Sequence, residues 1–370
     1  MMIYFIIFLY LLFLSVYYEM PVLNKKFSWI HFSLVFIILV LVAGLRYRLG
    51  PDTISYMALF ENSAIPISKI TINNILNSRY QPGWVVLESF CKEFDSFVLF
   101  QFLITIVFHV CLFYFVFTFT VLRFTYLLLY FSIAYLYLAT DVLRESLAIG
   151  FFLLGLKYLL NRDFFKYTGF ILIASLFHFY ALFWLVLVPV YLNKASKIIS
   201  ILFIIISVLI FSFYNDVTER LNFVLTNIGF LVDFGFANEV APKMTALGLS
   251  YYLMKLLAIC IVFFNLKKVF KEIKKKTVIE FYYFVCIIYI VLIVIRITAI
   301  PFIERFFNYI NLFFVLILVE WLYHYFNNFD VKLRRFATVT TILMVLFYYL
   351  IPFFQISPTY VVRYYKIYAP

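Results

Sequence analysis

Asp141, Arg144 and Glu145 stand where one apolar run gives way to the next, and His178 lies inside the run after that. Charged groups in such company are costly, about 2.5–3.5 kcal/mol each at mid-membrane on insertion scales, so the chain keeps them where they have a use. Spacings of three and four place Asp141, Arg144 and Glu145 on one helical face at the start of a span. That face reads either as an internal ion pair that lowers the cost of burial, or as a site in which Arg144 clamps a phosphate and an acid moves a proton. His178, in SLFHFYALF, interrupts its run. An imidazole with an ordinary pKa of about 6.5 suits proton transfer or a charged contact to phosphate.

Two further constellations carry charge. In LRYRLGPDTISYMALFE, Gly50-Pro51 breaks the chain after the second apolar run. Asp52 is placed to cap the following helix and to share a face with Tyr56. With Arg46 and Arg48 this stretch is either a capped helix beside two snorkelling arginines or a binding edge at the membrane surface. In IRITAIPFIERFFNYI, Arg296, Glu304 and Arg305 flank Pro301 in a short outer loop, and the local balance leaves one positive charge over. His31, His109 and His324 lie in or at the ends of runs without acidic neighbours and read as structural.

The elements that must position these groups are membrane spans. The chain has 370 residues, of which 66% are apolar, and no soluble domain of that size hides so much hydrocarbon. Its mean hydropathy is +1.04. The fold class expected is all-α, a polytopic helical bundle forming a single membrane domain over residues 1–370. Apolar runs fall at Ile3–Tyr17, Trp29–Leu45, Phe97–Thr120, Phe124–Thr140, Val142–Leu160, Tyr167–Leu192, Ile198–Tyr214, Ala246–Leu266, Val278–Thr298, Phe306–Phe326 and Phe336–Phe354. The first has no basic residue ahead of it and no small-residue cleavage site behind it, so it reads as a span and not as a removable signal. Residues 46–95 form a first outer insert. Residues 214–245 form a second, which is either a lid or a solvated loop.

Orientation follows from the lysines and arginines in short loops. Lys25/Lys26, Arg123, Arg162/Lys166, Lys194/Lys197, the Lys-rich loop at 267–277 and Lys332/Arg334/Arg335 fall on one side if Tyr167–Leu192 crosses twice near His178, as two short helices or a re-entrant pair. This gives about twelve membrane elements (ten to twelve) with both termini outside. The cytoplasmic loops are then mostly lysine, which anchors to anionic headgroups. The outer face carries Arg46, Arg48, Arg79, Arg144, Arg220, Arg296, Arg305 and Arg363, against the usual bias. Guanidinium forks bind phosphate bidentately, which points to an anionic, phosphorylated ligand outside. Pairing of single arginines with Asp52, Asp141 or Glu304 is the plainer alternative.

The net charge of +12 is spread over membrane loops, so nucleic acid is not an expected partner. Of the four cysteines, Cys111, Cys260 and Cys286 lie in apolar runs and Cys91 in a loop, with neither a disulfide framework nor metal-ligand spacing. No metal is expected. Walker, HExxH and GxSxG motifs are absent from the sequence, and no intramembrane carboxylate series suggests a proton-driven pump.

GLRYRLGPDTISYMALF, RYQPGWVVLESF, DVLRESLAIGFFLLG and ASLFHFYALFWL occur in that order between Leu45 and Pro189, and PFIERFFNYI follows. This ordered set resembles the EpsG/Wzy family of bacterial polysaccharide polymerases. In that family Asn or Gln often follows the arginine where this chain has Glu145.

The resemblance implies a multi-pass inner-membrane glycosyltransferase that elongates O-antigen, capsule or exopolysaccharide. It would transfer a growing glycan from undecaprenyl diphosphate to the non-reducing sugar of a lipid-linked repeat unit. The partners expected are that lipid-linked oligosaccharide, membrane lipids and a chain-length regulator. On this reading Arg144 with Arg296 or Arg305 holds the diphosphate, and His178 or Asp52 is the base. Arg46, Arg48, Tyr56, Asp141, Glu145 and Glu304 line the site. Arginine supplies the charge stabilisation that a metal would, so no cofactor is expected. The rivals are a flippase of lipid-linked oligosaccharide, a glycan ligase and a membrane O-acyltransferase.

Overall fold

The computed structural model describes residues 2–19, 27–47, 51–78, 80–188, 246–270, 276–297 and 303–326, and these are helical segments and the connections between them. Two long apolar helices bracket the site. α6 (Phe97–Phe119) is capped by Ser96, whose Oγ accepts from Leu99 N at 3.2 Å. α12 (Ile303–Phe326) closes the described part of the chain. α6 and the stretch Arg305–His324 of α12 are long and apolar enough to cross a membrane. α1 (Met2–Glu19) and α2 (Ser28–Gly44), with 18 and 17 residues, reach only about 25–27 Å at 1.5 Å per residue. That is a little short of a typical hydrocarbon core of about 30 Å.

α2 packs against α6, and α6 against α8 (Leu143–Leu160). α8 packs in turn on α9 (Phe164–Ser175), while α1 lies along α7 (Arg123–Tyr130). α10 (Ala246–Phe270), α11 (Lys276–Ile297) and α12 form a second group, joined to the first where α12 meets α7 and α8. Polar groups hold the far end of the bundle. Glu19 accepts hydrogen bonds from Phe124 N at 2.6 Å and Thr125 N at 2.7 Å, so the last residue of α1 satisfies two of the open N–H groups of α7. Lys267 and Lys268 form the last turn of α10.

The run expected over Phe124–Thr140 is not one regular helix. After α7 it loosens into two π-helical turns, Phe131–Tyr135 and Tyr137–Asp141, and stops at Val142, which has φ −89° and ψ 59°. Such turns concentrate at functional sites because the extra residue re-aims the chain. The run containing His178 is interrupted as expected. α9 ends at Ser175, His178 is extended (φ −151°, ψ 115°), and a 3-10 segment runs from Phe179 to Val186. The expected runs Ile198–Tyr214 and Phe336–Phe354, and the insert at 214–245, lie outside the described residues.

The first insert is less polar in its packing than its sequence suggests. α3 (Pro51–Asn62), α4 (Ile72–Leu76) and α5 (Pro82–Lys92) form a cap over one end of the bundle. Tyr56, Phe60, Trp84 and Cys91 of the cap bury themselves against Phe100 and Ile104 of α6 and Leu143 and Leu147 of α8, in a core separate from that of the bundle. Cys91 is therefore in a helix and fully buried, not in a loop. An aromatic edge-to-face set holds this core, with Trp84 4.8 Å from Phe100 and 5.0 Å from Tyr56, centroid to centroid.

Gly83 fixes the cap to the rest. Its N–H donates to Leu176 O at 2.8 Å, two residues before His178, and a Cβ at position 83 would stand 2.8 Å from that same oxygen. Only glycine lets the backbones approach so closely.

Candidate functional site

α8 begins directly after the break at Val142, and its first turn sends two neighbouring charges in different directions. Arg144 turns to the cap. Its Nε donates to Tyr56 Oη at 3.4 Å and its Nη1 to Gln81 Oε1 at 3.2 Å, and the guanidinium lies 4.3 Å above the Tyr80 ring. Glu145 turns inward and is 1% exposed. Its Oε2 is 3.2 Å from Arg305 Nη1 and its Oε1 accepts from Asn308 Nδ2 at 2.8 Å.

Of the two readings of Asp141, Arg144 and Glu145, the internal ion pair does not form, and Glu145 pairs instead across the bundle with Arg305. The reason is the break at Val142, which leaves Asp141 in the preceding π turn, where its charge acts on Arg46. Arg305 likewise belongs to the first turns of α12 and not to a loop. Its side chain keeps 40% exposure in spite of the ion pair.

Asp52 completes the centre. It lies in the first turn of α3 and does not cap it, because the helix already starts at Pro51. It is half-buried, and both Arg305 and Arg144 act on its charge. Burial raises its carboxyl above the ordinary range, against the pull of those two arginines. The same arginines lie within electrostatic reach of His178, which is 6% exposed and has its Nδ1 3.4 Å from Tyr309 Oη. Glu88, on α5, is 9% exposed and pushed up to about 7 by burial, with Arg144 opposing. Two guanidiniums therefore face Glu145, which Arg305 and Asn308 hold, and two carboxyls whose proton affinity is raised. The end of the bundle under the cap is a positive centre.

Arg46 sits elsewhere and does something else. It is 8% exposed, and its guanidinium donates to Ala43 O, to Thr53 Oγ1 at 2.9 Å and to Thr140 O at 3.0 Å. Thr53 Oγ1 also donates to Thr140 O, and Gln101 Nε2 donates to Gly44 O at 2.8 Å and Arg46 O at 2.9 Å. These bonds tie the end of α2, the start of α3 and the end of the second π turn together, and so set Asp52 and Tyr56 against Arg144. Arg48 lies outside the described residues. Arg296 falls in the last turn of α11 and Glu304 in the first of α12, and their side chains lie outside the description.

Several members of the centre were not singled out from sequence. Tyr80 and Gln81 precede Pro82, which opens α5 and so fixes both beside Arg144. Asn308 and Tyr309 follow Arg305 by three and four residues, a spacing that places them on its helical face. Glu88 is a lone carboxylate in the apolar stretch VVLESF, and that was the available signal. Among the histidines read as structural, His31 bonds Tyr10 Oη at 2.7 Å and His109 bonds Thr105 O at 2.8 Å. His324 is not without acidic company, since Glu320 stands 3.7 Å away one turn earlier.

The family is decided by a match that covers most of the chain. A model of the EpsG family matches residues 29–365. The chain belongs to the EpsG family. No curated protein and no solved structure matches it. EpsG membership covers the cap, the two arginines, the turn at His178 and α12 together. It makes this chain a membrane protein of polysaccharide biosynthesis, of polymerase type at the level of the family.

Proposed function

We propose that this EpsG-family chain is a polysaccharide polymerase, a metal-independent glycosyltransferase. It transfers a growing glycan from undecaprenyl diphosphate to the non-reducing end of a lipid-linked repeat unit. The reaction takes place on the outer side of a bacterial inner membrane that the chain crosses many times, with about twelve membrane elements and both termini outside. The observation that carries this reading is the pair Arg144 and Arg305. Arg144 spends two N–H groups on long bonds to Tyr56 and Gln81, and Arg305 spends one on Glu145. A guanidinium has five donors, so both retain capacity for an oxyanion.

The diphosphate binds between these two forks. As the bond from the sugar's anomeric carbon to the diphosphate oxygen breaks, the electron pair leaves with that oxygen, and the arginines hold the charge that develops there. The acceptor hydroxyl forms the new bond to the anomeric carbon and gives its proton to Asp52. Asp52 is suited to this because its raised proton affinity makes it a stronger base than an exposed aspartate. His178, buried and bonded to Tyr309, positions α12 against the turn that carries it.

The test is the surface glycan of a deletion strain run on a gel, with the gene restored as native chain, Arg144→Ala, Arg305→Ala and Asp52→Asn. The expected result is a long ladder with the native chain and a single-repeat band with each variant. Loss of every band in the deletion strain points to a flippase or a ligase. A ladder of full length with altered sugar modification removes the polymerase reading in favour of an acyltransferase.

A further inference from the structure

Beside the arginine centre, α3, α4, α5 and the connections between them line an open-mouthed cavity of about 270 Å³. Its polar wall includes Ser63, Asn74, Ser78, Tyr80 and Glu88, and its apolar wall includes Leu59. Among the described residues its lining holds neither lysine nor arginine. Glu88 is nine-tenths buried, yet among the described residues its carboxylate makes no hydrogen bond, and Arg144 acts on it only through space. A buried carboxylate in that state is an acceptor waiting for a donor. Tyr80 and Glu88 stand between this cavity and the guanidinium of Arg144, which stacks on the Tyr80 ring.

The chemistry of the wall selects the occupant. A phosphate or carboxylate ligand would face the carboxyl of Glu88, an acid set against an acid. A purely apolar ligand would leave the Glu88 carboxylate unpaired. A neutral sugar ring satisfies both sides, because its equatorial hydroxyls pair with the polar wall and its C–H face lies on Tyr80 and Leu59. The volume falls just under the roughly 300–1,000 Å³ of pockets for drug-sized ligands, which fits a single ring.

We propose that this cavity is a neutral-sugar subsite, in which Glu88 accepts a hydrogen bond from a ring hydroxyl of the acceptor's terminal hexose. The assignment to the acceptor rests on the polymerase reading. The assignment of a sugar rests on the cavity alone. The two subsites divide the substrate by charge, with diphosphate at Arg144 and Arg305 and uncharged ring under α4. The partition between them is Tyr80.

The experiment uses the full chain in nanodiscs and saturation-transfer NMR. The probes are methyl glycosides of common hexoses and N-acetylhexosamines, and the lipid-free oligosaccharide released by mild acid from the deletion strain. Undecaprenyl diphosphate binding is measured in parallel. At least one sugar probe should receive saturation from the native chain. Ser63→Trp, at the exposed rim, and the isosteric Glu88→Gln should each weaken it at least tenfold while leaving undecaprenyl diphosphate binding intact, and Arg305→Ala should do the reverse.

Should Ser63→Trp lose its helical signal, Ser78→Trp replaces it. No saturation of any sugar by the native chain overturns the proposal, and so does sugar binding by the filled variant equal to that of the native chain. Loss in the filled variant but not in Glu88→Gln supports the cavity and overturns the role of Glu88. Failure here beside an arginine-dependent ladder removes the subsite alone, whereas sugar binding by a chain whose deletion leaves the ladder intact removes the polymerase and keeps the cavity.

Discussion

Arg46 and the pair Arg144 and Arg305 are drawn from the same end of the bundle, yet their surroundings are opposite. Arg46 is 8% exposed and spends its guanidinium on two backbone carbonyls and a threonine hydroxyl. Arg144 holds two bonds of 3.2 and 3.4 Å and a tyrosine face, and Arg305 keeps 40% exposure beside its ion-pair partner Glu145. An arginine saturated by its own chain is a fastener, while one left with donors to spare is prepared for something the chain does not contain. Counting arginines on a face cannot tell the two apart. Counting their unspent N–H groups can.

The comparison breaks most visibly at Arg144. Arg144→Ala is expected to lower polymer formation by a factor on the order of 100–1,000, as loss of one preorganised oxyanion donor does elsewhere. Its thermal stability should move by about 1 kcal/mol or less, since long bonds and a half-open cation–π contact are all that go. A ladder that survives this change removes Arg144 from the centre. Arg46→Ala should show the opposite profile. It strands the Ala43 carbonyl and weakens the tie at Thr140, at a cost of about 2–3 kcal/mol in stability, while activity per folded chain falls far less than in Arg144→Ala. Thermal melting in detergent beside activity per folded chain separates the two, and equal losses of activity would erase the distinction drawn here.

Gly83→Ala probes how the cap is held over both arginines. The new methyl would stand 2.8 Å from Leu176 O, so α5 must shift, at a cost of about 1–2 kcal/mol in stability and with weaker protection of the Gly83 amide in hydrogen exchange. Unchanged exchange at that amide would mean that the cap is anchored by its aromatic core alone.

The smallest effect concerns Glu88. Its carboxyl is pushed from 4.5 to about 7, so between those values the folded chain holds a proton that the unfolded chain has lost. Stability therefore falls as pH rises through that window, by about 1 kcal/mol once solvent in the cavity is allowed for. Glu88→Gln removes that slope, and a melting curve whose pH dependence is the same in both proteins contradicts it.

The helices were largely legible because apolar runs and their charged boundaries are local properties of the chain. α1, α2, α6 and α8 start and stop within a few residues of their runs, and the turn at His178 declared itself by interrupting one. Partners were not legible. Glu145 and Arg305 meet across 160 positions, and no spacing rule relates them. The same blindness hid Asn308 and Tyr309, whose helical relation to Arg305 was present but whose facing element was not. The cap misled in another way. Its polar loops outweigh Tyr56, Phe60 and Trp84 in any average over residues 46–95, although those three side chains build its core.

The bond from Gly83 to Leu176 has one more consequence. It joins the start of α5 to the turn before His178 through backbone atoms alone, with no side chain free to swing away. Cap and turn therefore travel as one body. A covering fixed in this manner is a wall and not a door, and whatever reaches the arginines has to come in around it.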